Sequence, residues 1–357
     1  MADTTHPTFT LTIGSVVATT DRPMAGPTRL VLERDMDIAA DGLRVHLSDR
    51  SGIGLDDPVG LELGYGGSES AVFTGTVARL RPATGGVEVW ALGGLHLLLD
   101  LHCGEVYQEQ SAGAIAHDLF GRAGLSAGTV DDGPDISRFA VDVRSSGYVH
   151  LAGLAQRLGY ELYADIAGKA MFHALGATAG LDSGGGGFGA VVGASAPVPG
   201  DVAAAGRGGE VRYGSDLLGL DATDAPVIWE SVDVGGESPV SGQGEKTASW
   251  LTTRDADYRG SSGSGGRHLL VIDPAARTKD LADRFAAGRR AAGARRAHEV
   301  RISVLGRPGV DLGDTLSVAD HPDALANGSG YVRALRHRVG EGVGFVTDIR
   351  LALEPAA

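Results

Sequence analysis

The sequence predicts a mainly β protein with an α+β insert, and three observations carry that reading. Near both ends of the chain, short apolar runs alternate with period two, the repeat of a strand with one buried and one exposed face. Turn-forming residues punctuate those runs, and 56 glycines against 5% aromatic residues suit many short strands. Between residues 101 and 174 the repeat changes to that of helices.

Residues 9–14, 30–36, 43–48, 58–65, 71–80 and 87–92 read as strands, the last two separated by Pro82 and Gly85-Gly86. Their spacing indicates a barrel or sandwich over 8–100. Ser111 is placed to cap a helix that carries Ile115, Leu119 and Ala123 and stops at Gly124. Ser146 caps a second, with Leu151, Leu154, Ala155 and Leu158 on one face and Gly159 ending it. Residues 160–165 and 170–173 form a hairpin around the loop at 166–169.

The stretch 176–209, with four consecutive glycines at 184–187, reads as a surface loop or linker. Residues 211–213 and 217–222 read as strands again. Residues 235–266 are polar, rich in glycine and serine, and without periodicity, so they read as a mobile loop. Asp273 and Pro274 supply a cap and a first-turn proline for a helix over about 274–297. That helix carries Leu281 and Phe285, and its basic end holds Arg289, Arg290, Arg295 and Arg296.

Strands return from Val300 to Leu353 as an antiparallel meander forming half of a small barrel. Its turns fall at Pro308-Gly309, Gly313-Asp314, Asn327-Gly328 and Gly340-Glu341-Gly342. In one run Tyr331, Leu335 and Val339 share a face with Arg333 and His337. In the next, Phe345, Thr347, Ile349, Leu351 and Leu353 share one, with Asp348 and Arg350 opposite.

Composition narrows the function. A chain of 357 residues that is 43% hydrophobic can bury a sizeable core, in two or three domains by length. A net charge of −14 argues against wrapped nucleic acid, which needs a basic face. The single cysteine, Cys103, excludes an internal disulfide and a cysteine-based zinc site. The first residues have neither the basic nor the apolar region of a signal peptide, and no run is long enough to cross a bilayer. Assembly in the cytoplasm is expected.

No catalytic constellation is visible. His96, His102 and Cys103 match no standard zinc spacing. His117-Asp118 reads as a surface pair, and Asp56-Asp57 and Asp131-Asp132 lie in turn sequences. Nucleophile-elbow, zinc-protease, phosphate-loop and dinucleotide motifs are absent. The arginines at 289–296 read as a solvated helix end, and His337 as a hydrogen-bonded structural residue. No enzyme activity, cofactor or metal is expected.

A family resemblance adds to this. In order, Gly306, Pro308, Val310, Gly313, Asp314, Leu316, Val318, Gly330, Tyr331, Val332, His337, Gly344, Phe345, Thr347, Ile349 and Leu351 resemble the C-terminal hub barrel of phage late control protein D. That tail-hub family is shared by contractile phage tails and the hub portion of type VI secretion spike proteins. Residues 151–173 and 111–125 are similar to its α/β module, and residues 73–77 to its first barrel.

The resemblance implies two small tube-like β-barrels plus an intervening α/β module, assembled as a pseudo-sixfold trimer. The first barrel would span 8–100, the α/β module 101–174, and the second barrel 175–357 with its loops and inserted helix. Gly313, Asp314, Gly330, Tyr331, His337, Phe345 and Thr347 would be structural motif positions. The implied function is a structural baseplate hub, a homotrimeric adaptor between a sixfold inner tube and a threefold spike, with baseplate wedge proteins outside. Because the sequence stops at Ala357 without a needle segment, the spike is expected to be a separate chain. A phage tail or a phage-tail-like injection particle, including one released from the cell, is the expected setting. A tail-associated cell-wall hydrolase and a small-ligand-binding β-protein are the alternatives from other classes.

Overall fold

The computed structural model describes residues 6–20, 29–48, 52–175, 209–236, 259–340 and 344–353. Seven strands open the chain: β1 (Pro7–Ile13), β2 (Val16–Thr19), β3 (Arg29–Asp35), β4 (Gly42–Leu47), β5 (Pro58–Tyr65), β6 (Ser68–Ala83) and β7 (Gly86–Gly93). Their inward residues alternate as the sequence predicts, and Leu11, Leu43, Val45, Leu61, Leu63, Val77 and Val89 form one core. Pro82 does not end a strand. It lies inside β6 opposite Val87, and the turn follows at Gly85, whose φ is +80°.

The middle segment holds α1 (His96–Asp100), β8 (Glu105–Ser111), α2 (Ala112–Arg122), β9 (Ala127–Val130), β10 (Asp135–Val141), α3 (Gly147–Leu158), β11 (Tyr160–Ala164) and β12 (Ala170–Ala174). Both predicted serine caps are made: the Ser111 hydroxyl accepts from the Ala114 N–H and the Ser146 hydroxyl from the Val149 N–H. Gly159 ends α3 in the left-handed conformation that spares glycine a Cβ clash. The apolar stripes of both helices meet β11 and β12 in a second core built on Phe120, Leu151, Leu154 and Phe172.

The last part holds β13 (Gly209–Arg212), β14 (Leu217–Asp224), β15 (Ser231–Gly235), β16 (Arg259–Gly263), β17 (His268–Ile272), α4 (Lys279–Ala294), β18 (His298–Leu305), β19 (Thr315–Ala319), β20 (Gly328–Gly340) and β21 (Gly344–Leu353). A third core forms from Val211, Val300, Ile302, Leu316, Val332, Leu335, Ile349 and Leu351.

The first and third cores lie on one large sheet. Its 13 strands run β14-β18-β21-β20-β3-β4-β7-β6-β5-β1-β2, with β19 and β13 branching from β20. The junction is β20: its first residues pair with β19, its later ones with β3, and β21 follows it throughout. Phe345 at the start of β21 belongs to the first core, while Ile349 and Leu351 belong to the third.

Three sequence expectations change here. A register shift between Val332 and Ala334 makes Arg333 the extra residue of a β-bulge. Val332, Leu335, His337 and Val339 then face the way of Leu351, Ile349, Thr347 and Phe345, and Tyr331 and Arg333 leave that face. The inserted helix begins at Lys279, not 274. Thr278 caps it, accepting from the Leu281 N–H at 3.2 Å, while Asp273 is buried in an ion pair. Finally, 235–266 is not wholly loop: β16 lies within it, paired with β15, which also pairs with β17. The Arg-Gly-Ser-Ser-Gly sequence of β16 carries no apolar repeat, and its place comes from that pairing and from α4, whose backbone Gly260 touches. The 176–209 loop lies outside the described residues up to 208, as do 237–258.

Val232, Val234, Leu281 and Phe285 join the core of the α/β segment, so β15 and α4 pack there. A Cβ added to Gly288 of α4 would lie 2.2 Å from the Arg157 carbonyl oxygen of α3. Alanine in place of glycine improves helix propensity by about 1 kcal/mol, but overpacking costs about 1–3 kcal/mol. Gly288→Ala is therefore expected to lower stability by about 1–2 kcal/mol net in denaturant unfolding. A gain in stability would show that the α3–α4 crossing has slack.

Candidate functional site

The chemistry of this chain concentrates where the two sheet cores meet the α/β segment, and it is a chemistry of arginine. Arg34 on β3 is 2% exposed, yet its guanidinium is fully engaged. Nε donates to Asp41 at 2.9 Å, one terminal nitrogen pairs with Asp311, and the other donates to the Ala164 carbonyl of β11 at 2.7 Å. One side chain thus ties together the first core, the loop before β19 and the α/β segment. Burial raises the Asp41 carboxyl above its ordinary range, against the pull of Arg34 beside it.

A second cluster surrounds Glu161 of β11, which is 5% exposed. It pairs with Arg333 of the bulge and with Arg295 at 2.7 Å, and accepts from the Tyr331 hydroxyl at 3.1 Å. Burial and Glu161 push the Tyr331 phenol up to about 12, so it remains a donor. Arg333 also reaches Asp37 at 2.9 Å, which pairs with Arg350 at 2.6 Å and Arg296 at 3.3 Å. Asp273 sits between Arg157 at 2.6 Å and Arg289 at 2.9 Å.

Of the basic helix end, Arg296 stays more than half exposed, whereas Arg289 and Arg295 are not solvated. These two are interface residues, because α4 ends against α3, β11 and the turn after β3. Helical spacing alone places basic residues at a helix terminus; it carries no information about acids on other elements, such as Glu161 and Asp37.

The motif positions all serve the C-terminal strands. Gly313 has φ +85°, and its N–H donates to the Val332 carbonyl at 2.9 Å; a Cβ there would meet the Tyr163 hydroxyl at 2.9 Å. The Asp314 carboxylate accepts from the Asp311 N–H at 2.8 Å. Gly330 lets the Ala352 carbonyl approach to 2.2 Å of where a Cβ would stand. His337 shares a 2.9 Å hydrogen bond with Thr347, whose oxygen also accepts from the Arg307 N–H. Phe345 stacks on Tyr65 of β5 at 5.6 Å.

The other sequence candidates stay apart. His96 and His102 bond the carbonyls of Gly93 and Val143, and Cys103 is a free thiol. Asp118 pairs with Arg122 and Tyr107 rather than with His117. Asp57 accepts from the Gly54 N–H and Asp131 from the Ala174 N–H. Among the described residues no group of three potential ligands gathers for a metal. No helix among them is long and apolar enough to cross a membrane.

Three edges of the large sheet complete the picture. Among the described residues, β14 pairs only with β18, β2 only with β1, and β13 only with β19. β14 offers eight residues of backbone on its open side, with Leu218 exposed.

No protein-family profile matches the sequence, and no curated protein matches it. Solved structures share the fold. The 43 kDa tail protein of prophage MuSo2 from Shewanella oneidensis superposes with a TM-score of 0.65 at 12% identity, covering 97% of this chain and all of that one. A tail protein from Neisseria meningitidis MC58 gives 0.67 at 13% identity over 98% and 97% of the two chains. The Escherichia coli c3393 protein gives 0.56 at 9% identity over 96% and 76%; it is described as a type VI secretion component similar to T4 tail proteins gp27 and gp5. This chain has the fold of those tail and secretion proteins.

Breaking a buried ion pair on one side leaves an uncompensated charge, at a cost of about 3–5 kcal/mol. Arg34→Met, which strands Asp41 and Asp311, is expected to lose about that much in denaturant unfolding. Restoring balance with Asp41→Leu in the same chain should recover part of it.

His337 gives a pH test. Its burial, and then Arg34, hold the ring at about 3, against Asp348. An unfolded histidine titrates near 6.5. The unfolded chain therefore binds the extra proton between those values, and stability falls as pH drops from about 6.5 toward 3, by on the order of 4 kcal/mol from this group. His337→Gln is expected to flatten that part of the stability–pH curve; an unchanged slope would place the titration elsewhere.

Proposed function

We propose that this chain is a structural baseplate hub of a contractile phage tail or phage-tail-like injection particle, a trimeric adaptor between a sixfold inner tube and a threefold spike. The observation that carries the reading is the fold match to two tail proteins along nearly the whole of both chains. In this reading the first and third cores are the two hub barrels of each copy, and three copies present six. The 101–174 segment is the module between them. The arginine junction supports it physically: an adaptor must hold two barrels at one fixed angle, and directional buried ion pairs set an angle better than apolar contact does.

The open edges support it as well. Long unpaired strands are aggregation hazards unless a partner covers them. A head-to-tail contact between β14 and β2 that closes after three copies covers both of those edges in every copy. The spike, the inner tube protein and the wedge proteins are the further partners in this reading.

The test is native mass spectrometry or light scattering on the purified chain, alone and with the spike protein encoded beside it. A species near three times 36.5 kDa, retained with a threefold spike, is expected. Leu218→Lys at the β14 edge is expected to reduce the trimer fraction about tenfold, equivalent to about 1.4 kcal/mol, with an unchanged Tm. A chain that stays monomeric with both spike and tube proteins would remove the adaptor role.

A further inference from the structure

At the junction a crevice of about 420 Å³ opens between the turn after β3, α3, β11, the end of α4 and the bulge of β20. Four guanidinium groups line it, those of Arg289, Arg295, Arg296 and Arg333, against two carboxylates, Asp37 and Glu161. Including the next partners, six arginines meet four acids: Arg157 and Arg350 are added on one side, Asp35 and Asp273 on the other. The local balance is two positive charges in excess, in a chain whose net charge is −14.

Among the described residues, Arg289, Arg296 and Arg333 keep donor capacity after these pairings. A guanidinium carries five N–H donors in a planar fork. The Nε groups of Arg289 and Arg333 are buried without a hydrogen-bond acceptor, a costly state for a charged donor. Among the described residues Arg296 pairs with Asp37 at 3.3 Å, and more than half of its side chain is exposed. The other walls are mainly apolar or aromatic, with Trp229, Tyr148, Met36, Ile228 and Leu269, and Gln156 is a polar member. Burial, and then Asp37, Asp35 and Glu161, raise the Tyr148 phenol and keep it protonated.

We propose that this crevice is a binding site for a carboxylate carried on an apolar body, such as a glutamate or a carboxyl terminus preceded by an aliphatic residue in a partner segment. The planar fork of arginine matches a carboxylate in two-point geometry. The volume admits about two side chains, and the apolar walls take the aliphatic one. Occupation would also bring the missing negative charge to a junction short of it. The proposal rests on the geometry of the crevice and is independent of the hub assignment.

The experiment is isothermal titration calorimetry of the full chain with the blocked dipeptide N-acetyl-Leu-Glu-amide, its Leu-Gln counterpart and inorganic phosphate. Saturable binding of the Leu-Glu probe is expected, with the Leu-Gln probe at least about tenfold weaker, since the charge-assisted bonds are lost. Arg296→Gln is expected to weaken the Leu-Glu probe by about tenfold, while Arg301→Gln, outside the crevice, leaves it unchanged. Because the Arg296 side chain is largely exposed, this variant keeps the fold, and an unchanged Tm verifies that. Equal binding of the Leu-Glu and Leu-Gln probes, no binding up to about 10 mM, or loss of affinity in Arg301→Gln alone would overturn the site. Phosphate binding tighter than Leu-Glu would overturn the carboxylate assignment.

Discussion

The structure depends on giving each buried arginine at the junction a carboxylate partner. Arg34 and Arg333 are nearly inaccessible to water, and a guanidinium cannot escape by losing its proton. Each must find carboxylates, and those come from different parts of the chain: Asp311 lies 277 residues from Arg34, and Glu161 lies 172 residues from Arg333. The two sheet cores and the α/β segment therefore cannot take up arbitrary relative positions. Any rotation that separated them would strand charges at a cost of several kcal/mol each. Set against that cost, the net stabilisation from the pairs is small, since desolvation consumes most of the Coulomb gain. Their effect is on geometry.

The β20–β21 hairpin does the corresponding work for the sheet. A strand of thirteen residues is long enough to serve two cores, but a twisted strand cannot keep one face inward for both without adjustment. The bulge at Arg333 makes that adjustment. It turns Tyr331 and Arg333 toward Glu161 while Leu335 and His337 continue the alternation beside β3 and β21. The hairpin thus links the sheet's local register to the arginine junction, and a slip by one residue would break both.

What was legible in the sequence was what is locally encoded. The strands of both sheet ends follow from period-two alternation, and α2 and α3 follow from a serine cap, an apolar stripe and a terminal glycine. Thr278 shows the limit. Asp273-Pro274 is the better cap signal on paper, yet Asp273 is taken by Arg157 and Arg289, and the cap falls to the next suitable hydroxyl. β16 carries no repeat because tertiary pairing alone makes it a strand. Of the candidate site, the motif glycines and His337 were readable, since turn chemistry and cross-strand neighbours are short-range. The junction was not, because nothing in a run of arginines names acids on other elements. Even the bulge hides, for Arg333 sits in an alternation that looks unbroken until the partner strand is known.

The edges β2 and β14 differ in a way that bears on assembly. β2 is four residues long, and a short edge is one of the ordinary ways a β protein avoids unwanted pairing. β14 is eight residues long and exposes Leu218, but it also carries Asp221 and Asp224. Acidic residues on an exposed edge hinder its pairing with an identical acidic edge, so a twofold contact of β14 with itself is disfavoured by like charges. A contact with a different edge of the next copy escapes that repulsion. Unlike edges meeting head to tail generate a ring or a filament, and only the angle between them decides which. Within one copy, the setting of β14 relative to β2 depends on where the sheet cores meet, and so on the same buried arginines that hold the rest of the molecule in register.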